Sequence, residues 1–303
     1  MTRWLVTGAA GMLGQDLTAL LTADDGEQLT PLTRAELDIT DPTAVYASLD
    51  SYQPDVVVNC AAWTAVDEAE TQEQAAIQVN GKAVALLAGA CADRGITLVQ
   101  VSTDYVFDGT AREPYREDHP AAPRTAYGRT KLAGERAVLA ALPGAGYVVR
   151  TAWLYGAQGN SFVATMLGRA RTASPVSVVD DQRGQPTWTA DVARQIRALV
   201  TARAPAGVYH ATSSGEVTWF GLAREVYALA GANPALVSPV TSDAYPRPAP
   251  RPAYSVLGHD AWAAADIKPI GDWRDALARA FPAMLARDRE RSAATPLSPG
   301  RTR

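Results

Sequence analysis

A glycine-rich loop between a predicted strand and a predicted helix limits what the N-terminal part of this chain can fold into. Residues 4–7 are apolar enough for a buried strand, and residues 12–21 place leucines at helical spacing. The loop between them carries Gly8, Gly11 and Gly14 in a G-x-x-G-x-x-G pattern. Glycine permits a tight turn, and the N–H groups at a helix N-terminus attract phosphates. The segment therefore predicts the first β–α unit of a dinucleotide-binding fold, with an ordinary glycine turn as the alternative.

The order of predicted elements indicates the fold class. Strands and helices alternate as far as Thr151, which is typical of β–α–β units and a parallel sheet, and the pattern becomes mixed after Trp153. We predict an α/β protein with a Rossmann-type doubly wound parallel sheet and a smaller, mixed C-terminal substrate lobe. The predicted boundaries are a dinucleotide-binding domain over residues 1–152, a substrate-binding lobe over residues 153–287 with segments that return to the Rossmann sheet, and a disordered tail over residues 288–303.

Charge and cysteine content exclude several classes of function. The net charge of −4 and the pI near 5.5 argue against binding to nucleic acid or to an anionic membrane surface. Cys60 and Cys91 form no disulfide pattern, so reduced thiols in a cytoplasmic protein fit best. We expect no segment to be long and apolar enough to cross a bilayer.

Tyr127 and Lys131 form a candidate proton-transfer pair. They are four residues apart in a segment, residues 127–142, that is predicted to be helical, so their side chains share a face. An ammonium group favours a nearby phenolate, and we expect Lys131 to lower the pKa of Tyr127 from its usual value of about 10. Only three lysines occur among 28 basic residues, which weakens the alternative of a chance pair on a solvated face. With the glycine loop, the pair predicts interconversion of a ketone and an alcohol.

A hydroxyl-bearing segment precedes that helix. Residues 96–101 are predicted to be an apolar strand, and Ser102 and Thr103 follow it at the end of the sheet where open α/β folds bind ligands. Either hydroxyl could donate a hydrogen bond to a ketone oxygen. A simple strand-terminating turn is the alternative, and without other evidence it is the favoured interpretation.

These features belong to a wider resemblance. The chain resembles the dTDP-4-dehydrorhamnose reductase family, a group of deoxysugar-nucleotide 4-ketoreductases among the extended short-chain dehydrogenases/reductases. The order of the matching stretches makes the resemblance specific, since no single one is decisive. The stretches are residues 6–14, 55–59, 61–67, 101–109, 127–134, 150–156, 181–187 and 251–257.

The resemblance implies a role for each matching residue. For the cofactor, Gly8, Gly11, Met12 and Leu13 would line the pyrophosphate, Asp38 and Ile39 would flank the adenine, Ala62, Trp63 and Thr64 would border the cofactor beyond the third main strand, and Lys131 would hold the nicotinamide ribose beside Tyr127. For the reaction, Tyr127 would be the acid, Lys131 its partner and Thr103 the group that orients the carbonyl. Asp104, Tyr105 and Trp153 match positions that face the sugar nucleotide.

The choice between NADPH and NADH depends on the end of the second predicted strand. Residues 27–32 should form that strand, and Thr33 and Arg34 follow it with no carboxylate before Glu36. An acidic residue there selects NADH through the ribose, whereas arginine can accept the 2′-phosphate of NADPH. We therefore predict a modest preference for NADPH, with use of NADH as the alternative if Arg34 points to solvent.

The predicted activity is reduction of the C4 ketone of a dTDP-linked 4-keto-6-deoxy sugar, and a homodimer is compatible with it. Alternatives are a related antibiotic-sugar 4-ketoreductase such as dTDP-dihydrostreptose synthase, a sugar-nucleotide epimerase, and a non-catalytic subunit resembling the regulatory partner of methionine adenosyltransferase.

The three histidines, His119, His210 and His259, lack metal-ligand spacing, so no metal site is predicted and a Mg²⁺ requirement stays open. Asp67, Glu68 and Glu70 are expected to form a solvated helix start. The proline-rich residues 245–252 are expected to be a linker or, by the resemblance, a substrate-lobe loop.

Overall fold

The computed structural model describes residues 1–294 of the chain. Its strands are β1 (Thr2–Thr7), β2 (Glu27–Leu32), β3 (Val56–Asn59), β4 (Thr97–Thr103), β5 (Gly146–Thr151), β6 (Leu154–Tyr155), β7 (Val176–Val179), β8 (Arg183–Gly184), β9 (Thr187–Trp188), β10 (Gly207–His210), β11 (Val217–Thr218) and β12 (Val237–Val240). Its α-helices are α1 (Met12–Thr22), α2 (Pro42–Tyr52), α3 (Val66–Ala69), α4 (Glu73–Ile77), α5 (Ala83–Ala92), α6 (Ala126–Ala141), α7 (Phe162–Arg171), α8 (Thr189–Thr201), α9 (Trp219–Leu229), α10 (Asp260–Ala264) and α11 (Trp273–Ala294). A π-helical turn, Gln78–Lys82, joins α4 to α5, and 3₁₀ turns occupy Asp104–Val106, Pro234–Leu236 and Ser242–Ala244.

A six-stranded parallel sheet forms the centre of the molecule, with the strand order β10-β5-β4-β3-β1-β2. The chain leaves β1 towards β2 on one side and returns to β3 on the other. In such sheets ligands bind at the carboxyl ends of the strands where the order reverses, here between β1 and β3. The predicted α/β class with a doubly wound parallel sheet is confirmed.

Helices cover both faces of the sheet because successive strand residues point to opposite sides. Trp4 and Val6 belong to one apolar cluster, with α1 and α8, and Leu5 belongs to another, with α2, α5 and α6. Every residue of β3 and β5 is buried, as expected for strands covered on both faces. The resulting core holds the carboxyl ends of the strands in fixed relative positions.

The expectation about apolar segments was wrong for one helical run. The stretch Glu73–Ala92, which passes through the π-helical turn, is long and apolar enough to cross a membrane, with a mean hydropathy of 1.3. Half of this window is buried inside the protein, and Val84, Leu87 and Ala88 are fully buried against the sheet. Core helices of soluble proteins pass the same test, since a helix buried on several sides is apolar around its circumference.

The second half of the chain builds its own apolar cluster and also contributes to the main sheet. Residues of α7, α9 and α11 pack together with the β7–β12 pair. In contrast, β10 lies beside β5 in the main sheet, and α8 packs on the same face as α1. The sequence predicted that segments of this half return to the main sheet, but it contained no clear signal for β10, which is only four residues long. The division into two domains stays a prediction.

The predicted disordered tail begins too early. Helix α11 continues to Ala294, through the first part of the segment 288–303. Asp288 forms an ion pair with Arg171 on α7 (3.1 Å), and Arg291 donates a hydrogen bond to the carbonyl of Gly159 (2.8 Å). These contacts hold polar residues that composition alone assigned to disorder. Residues 295–303 lie outside the described residues.

Candidate functional site

A cavity of about 1100 Å³ opens at the carboxyl ends of the strands. It brings together every site residue that the sequence singled out. These are Gly8, Gly11, Met12, Leu13, Arg34, Asp38, Ile39, Ala62, Trp63, Thr64, Thr103, Asp104, Tyr105, Tyr127, Lys131 and Trp153. Their individual roles stay predictions.

The glycine loop forms a close-packed backbone cradle. Gly8 has a φ of +65°, and a Cβ there would lie 2.7 Å from the backbone nitrogen of Ala61. A Cβ on Gly14 would collide even more closely with the Gly8 carbonyl, which also accepts a hydrogen bond from Gly11 N (2.9 Å). Helix α1 has no side-chain cap and no acidic residue in its first turn. Its N–H groups therefore face the cavity unopposed, and the residues present fit a dinucleotide pyrophosphate.

Arg34 and Asp38 lie at one rim of the cavity. The side chain of Arg34 is 88% exposed, and its Nε is 3.7 Å from Asp38 Oδ2. Asp38 accepts hydrogen bonds from the Thr40 hydroxyl (2.7 Å) and backbone N–H (2.9 Å), and these bonds hold its pKa below its usual value. Arg34 is thus weakly held, which leaves its guanidinium able to meet an added phosphate.

The loop with Ala62, Trp63 and Thr64 is pinned by a residue that the sequence did not single out. Asn80, in the π-helical turn, accepts a hydrogen bond from Trp63 N (2.9 Å) and donates to the Trp63 carbonyl (3.0 Å). Its amide also donates to the hydroxyl of Thr130 on α6 (3.1 Å), whose own proton goes to the Tyr127 carbonyl (2.8 Å). A π-helical turn often marks a functional site, but no local sequence signal predicts one.

Tyr127 enters the cavity from the first turn of α6, next to the end of β4. Thr125 caps this helix by accepting a hydrogen bond from Gly128 N (3.0 Å). A side chain on Gly128 would collide with the Tyr105 carbonyl, so glycine allows α6 to approach the turn after β4 closely. The rings of Tyr105 and Tyr127 meet edge to face at 5.6 Å. The backbone fit therefore places Tyr127 beside Thr103.

The expectation that Lys131 lowers the pKa of Tyr127 was wrong for this structure. Burial raises the pKa of Tyr127 to about 12, opposed by the nearby Thr103 hydroxyl and reinforced by the charge of Asp104. Lys131 instead donates a hydrogen bond to the Val101 carbonyl (2.7 Å). Burial also lowers the pKa of Lys131 to about 8, with the charge of Glu135 acting against the shift. Although Tyr127 and Lys131 share a helix face, the Lys131 ammonium does not stabilise the Tyr127 phenolate, because it is bonded to the carbonyl of Val101 on β4.

Ser102 is not available to a substrate. Its hydroxyl donates to Glu135 Oε1 (2.5 Å) behind the cavity. Arg150 on β5 binds the same carboxylate through Nε (3.0 Å) and Nη2 (2.7 Å), and it also contacts His210 Nε2 (3.3 Å). The Arg150 and Glu135 side chains are 5% and 1% exposed. Of the two hydroxyls, Thr103 is therefore the one that the structure leaves at the cavity, and its role there stays a prediction.

The acidic residues after Trp63 begin a helix as expected, and Glu68 is exposed, but Asp67 and Glu70 form long-range contacts instead of being solvated. Asp67 receives two hydrogen bonds of 2.8 Å from Arg251 and one of 3.2 Å from Ala249 N. Glu70 accepts from Ala126 N (2.8 Å) at the start of α6. Arg251 lies in the proline-rich segment and lines the cavity. These contacts therefore hold the segment at the site, so it is not a free linker. Because Arg251 and Asp67 are far apart in the sequence, local patterns could not predict their pairing.

An aromatic cluster lines part of the cavity wall. Trp153, in the left-handed region with a φ of +47°, stacks on Trp219 with ring centroids 3.5 Å apart. Phe162 packs on Trp219 at 4.6 Å, and a Cβ on Gly184 would lie 2.5 Å from the Trp153 ring. Sequence reasoning found Trp153 but missed Trp219 and Phe162, which come from other elements. Trp219 and the backbone at Gly184 therefore hold the Trp153 ring, which is partly buried and lines the cavity.

Within residues 1–294, no group of three or more His, Cys, Asp or Glu side chains is arranged to hold a metal ion. His210 is fully buried, its Nε2 accepts a hydrogen bond from Arg150, and its Nδ1 donates one to the Gly258 carbonyl. His259 contacts the Thr212 hydroxyl (2.9 Å). The absence of a metal site stays a prediction, and a Mg²⁺ requirement stays open.

Comparison with known proteins supports one family. A family model described as RmlD substrate binding domain matches residues 2–286. The chain is 56% identical over 289 residues to a dTDP-4-dehydrorhamnose reductase of Streptomyces griseus, covering 94% of this chain and 95% of the relative. It is 54% identical over 284 residues to a dTDP-4-keto-6-deoxy-D-glucose reductase of Streptomyces niveus, covering 94% and 98%. The crystal structure of a dTDP-4-dehydrorhamnose reductase from Bacillus anthracis in complex with NADP aligns with a TM-score of 0.87 at 34% identity, covering 93% of this chain and 99% of that one.

Proposed function

We propose that this chain, which belongs to the family of the RmlD substrate binding domain, reduces the C4 ketone of a dTDP-linked 4-keto-6-deoxy sugar with NADPH. One observation carries the proposal: a single cavity joins the glycine cradle to Thr103, Tyr127 and Lys131. The names of the Streptomyces relatives support the substrate class, and the NADP complex of the Bacillus anthracis relative supports the cofactor.

The chain's own residues fit the cofactor. The loop from Gly8 to Leu13 would hold the pyrophosphate, the residues around Asp38 the adenosine, and Lys131 the nicotinamide ribose. The reduced nicotinamide, when bound, supplies the hydride. The protein's contribution is to hold the sugar carbonyl in position and to supply a proton to its oxygen.

The protonation state of Tyr127 favours reduction. With its pKa raised to about 12, the phenol keeps its proton at neutral pH and can donate it to the oxygen that becomes negative. An epimerase must first oxidise its substrate, for which a phenolate would be the useful form. Tyr127 is thus in the form that the reduction needs, and an intact proton donor is not needed by a purely regulatory subunit.

The test is NADPH oxidation by the purified protein with a panel of dTDP-4-keto-6-deoxy sugars. We expect one NADPH to be consumed per sugar reduced. Conversion of a sugar nucleotide by protein that retains its own cofactor and needs none added would identify an epimerase instead. NMR of the product would distinguish dTDP-rhamnose from dTDP-dihydrostreptose or another antibiotic sugar.

A cytoplasmic location and a homodimer remain part of the proposal. The homodimer can be tested by light scattering.

The nucleotide of the substrate should be essential for efficient turnover. A free 4-keto-6-deoxy hexose lacks the remote binding energy that positions the reacting carbon. Trp153→Ala should raise KM for the dTDP-sugar by about tenfold, the upper range of an aromatic contact, and leave NADPH affinity nearly unchanged. The measurements are steady-state kinetics and NADPH fluorescence titration. Equal kcat/KM for the free and the dTDP-linked sugar would contradict the proposal.

Cofactor choice should depend on Arg34. We expect wild-type kcat/KM to favour NADPH over NADH, and Arg34→Ala to reduce that ratio by less than about tenfold, because exposed ion pairs are weak. Arg112, which does not line the cavity, offers a matched Arg→Ala control. A wild-type preference for NADH, or a ratio unaffected by Arg34→Ala, would remove Arg34 from cofactor selection.

A further inference from the structure

The hydroxyl proton of Thr103 is already committed. Thr103 Oγ1 donates to Asp104 Oδ1 (3.0 Å) and accepts from Tyr105 N (3.2 Å). A hydroxyl has one proton to donate and two lone pairs. While Asp104 is a carboxylate, it therefore competes with a ketone oxygen in the cavity for the single Thr103 proton, as does the neighbouring Tyr127 oxygen.

Asp104 is an unusual neighbour for a hydroxyl with that role. It is 4% exposed, and its Oδ2 is buried with no hydrogen-bond partner. The Ser255 hydroxyl, which likewise forms no hydrogen bond of good geometry, interacts with this carboxylate and favours its charged form. A buried carboxylate oxygen without a partner costs free energy, which protonation relieves. Burial accordingly raises the pKa of Asp104 to about 6, against the opposing influence of Ser255 and Thr103.

We propose that Asp104 is a positioning residue and proton source that acts through Thr103, forming a second route to the substrate oxygen beside Tyr127. This inference rests on the proposed function. When Asp104 is protonated, its O–H donates to Thr103 Oγ1. The Thr103 proton is then free to point at the ketone oxygen, so the hydrogen-bond chain reverses direction.

The proton transfers balance. As the carbonyl oxygen becomes negative, the Thr103 O–H bond breaks and a new O–H bond forms on the sugar. Thr103 takes the proton of Asp104, which is left as a carboxylate and is reprotonated from water. No redox change occurs at any protein group.

Few charged groups face Asp104. Tyr105 follows it along the chain, and Tyr127 faces it from α6; the charge of Asp104 raises the pKa of both phenols. On the opposing proline-rich segment, Arg251 is paired with Asp67. The protonated fraction of Asp104 should therefore rise as the pH falls through about 6, while both phenols remain neutral.

The first experiment reads Asp104 directly, without turnover. In protein labelled with [¹³Cγ]aspartate, we expect one carboxyl resonance to titrate near pH 6 and to be missing in Asp104→Asn. Thr103→Val removes the hydrogen bond to the carboxylate and should raise that pKa further. Asp118→Asn, at an exposed aspartate, is the matched control. An Asp104 resonance with an ordinary pKa, or one unchanged by Thr103→Val, would overturn the proposal.

The second experiment uses Tyr127→Phe, in which the second route carries the residual activity. We expect its kcat to be constant below about pH 6 and to fall about tenfold per pH unit above it, since the acid form is the active one. Adding Asp104→Asn or Thr103→Val should abolish this dependence and leave NADPH affinity unchanged. A residual kcat that does not vary with pH, or that varies equally in the double variants, would overturn the proposal. Inactive wild-type protein would instead refute the proposed function.

Discussion

Tyr127→Phe should lower kcat by about 10²–10⁴-fold, the usual contribution of a general acid. The substitution removes only the hydroxyl of a buried ring, which keeps its edge-to-face contact with Tyr105. NADPH affinity, measured by fluorescence titration, should change little. Single-turnover measurements at saturating substrate would report the loss on the chemical step.

The matched control for this prediction is Tyr52→Phe. Tyr52 ends helix α2, is 47% exposed and does not line the cavity. We expect wild-type kcat for this variant. Should Tyr127→Phe keep more than about a tenth of wild-type kcat, Tyr127 would not be the acid.

Arg150→Met should reduce the free energy of unfolding by about 3–5 kcal/mol, the cost of leaving a buried partner charge uncompensated. Arg150 supplies two of the hydrogen bonds to Glu135, and the remaining one comes from Ser102. Because Glu135 lies one turn after Lys131, we also expect the pH dependence of activity to shift. Urea denaturation followed by circular dichroism measures the stability change.

Two further variants test whether the Arg150–Glu135 pair behaves as a buried ion pair or as a partly exposed one. Arg150→Met/Glu135→Gln should recover part of the stability, because the uncompensated charge is removed. Arg197→Met breaks a partly exposed pair with Asp24 (3.1 Å), and should cost no more than about 1 kcal/mol. A loss at Arg150 as small as that at Arg197 would show that the Glu135 charge is not isolated from water.

The local pattern of the chain predicted the N-terminal half well. Strand β2 spans the predicted residues, and helices α1 and α6 begin within one residue of the predicted positions. Period-2 and period-3.6 patterns and helix caps are properties of neighbouring residues, so they can be recognised without the fold. The weaker expectations concerned the helix Glu73–Ala92 and the end of α11, where packing partners distant in sequence decide burial.

The composition of the site was also largely predictable, but its electrostatics were not. Residue spacing and the family resemblance identified Thr103, Tyr127 and Lys131, which line one cavity. The direction of the Tyr127 pKa shift depends on how deeply the phenol is buried and on where Lys131 points. Neither quantity is encoded in the four-residue spacing.

Sequence alone therefore determined the Rossmann-type sheet and the glycine cradle, and it predicted Tyr127 and Lys131 as the proton-transfer pair, since each is expressed within a short stretch of chain. Only the tertiary structure decided which of those groups interact. It paired Asp67 with Arg251, stacked Trp153 on Trp219, and turned the Thr103 hydroxyl towards Asp104. Such contacts depend on strand order and on burial. Burial lowers the local dielectric constant, so the protonation state of a buried group depends on neighbours that are remote in sequence.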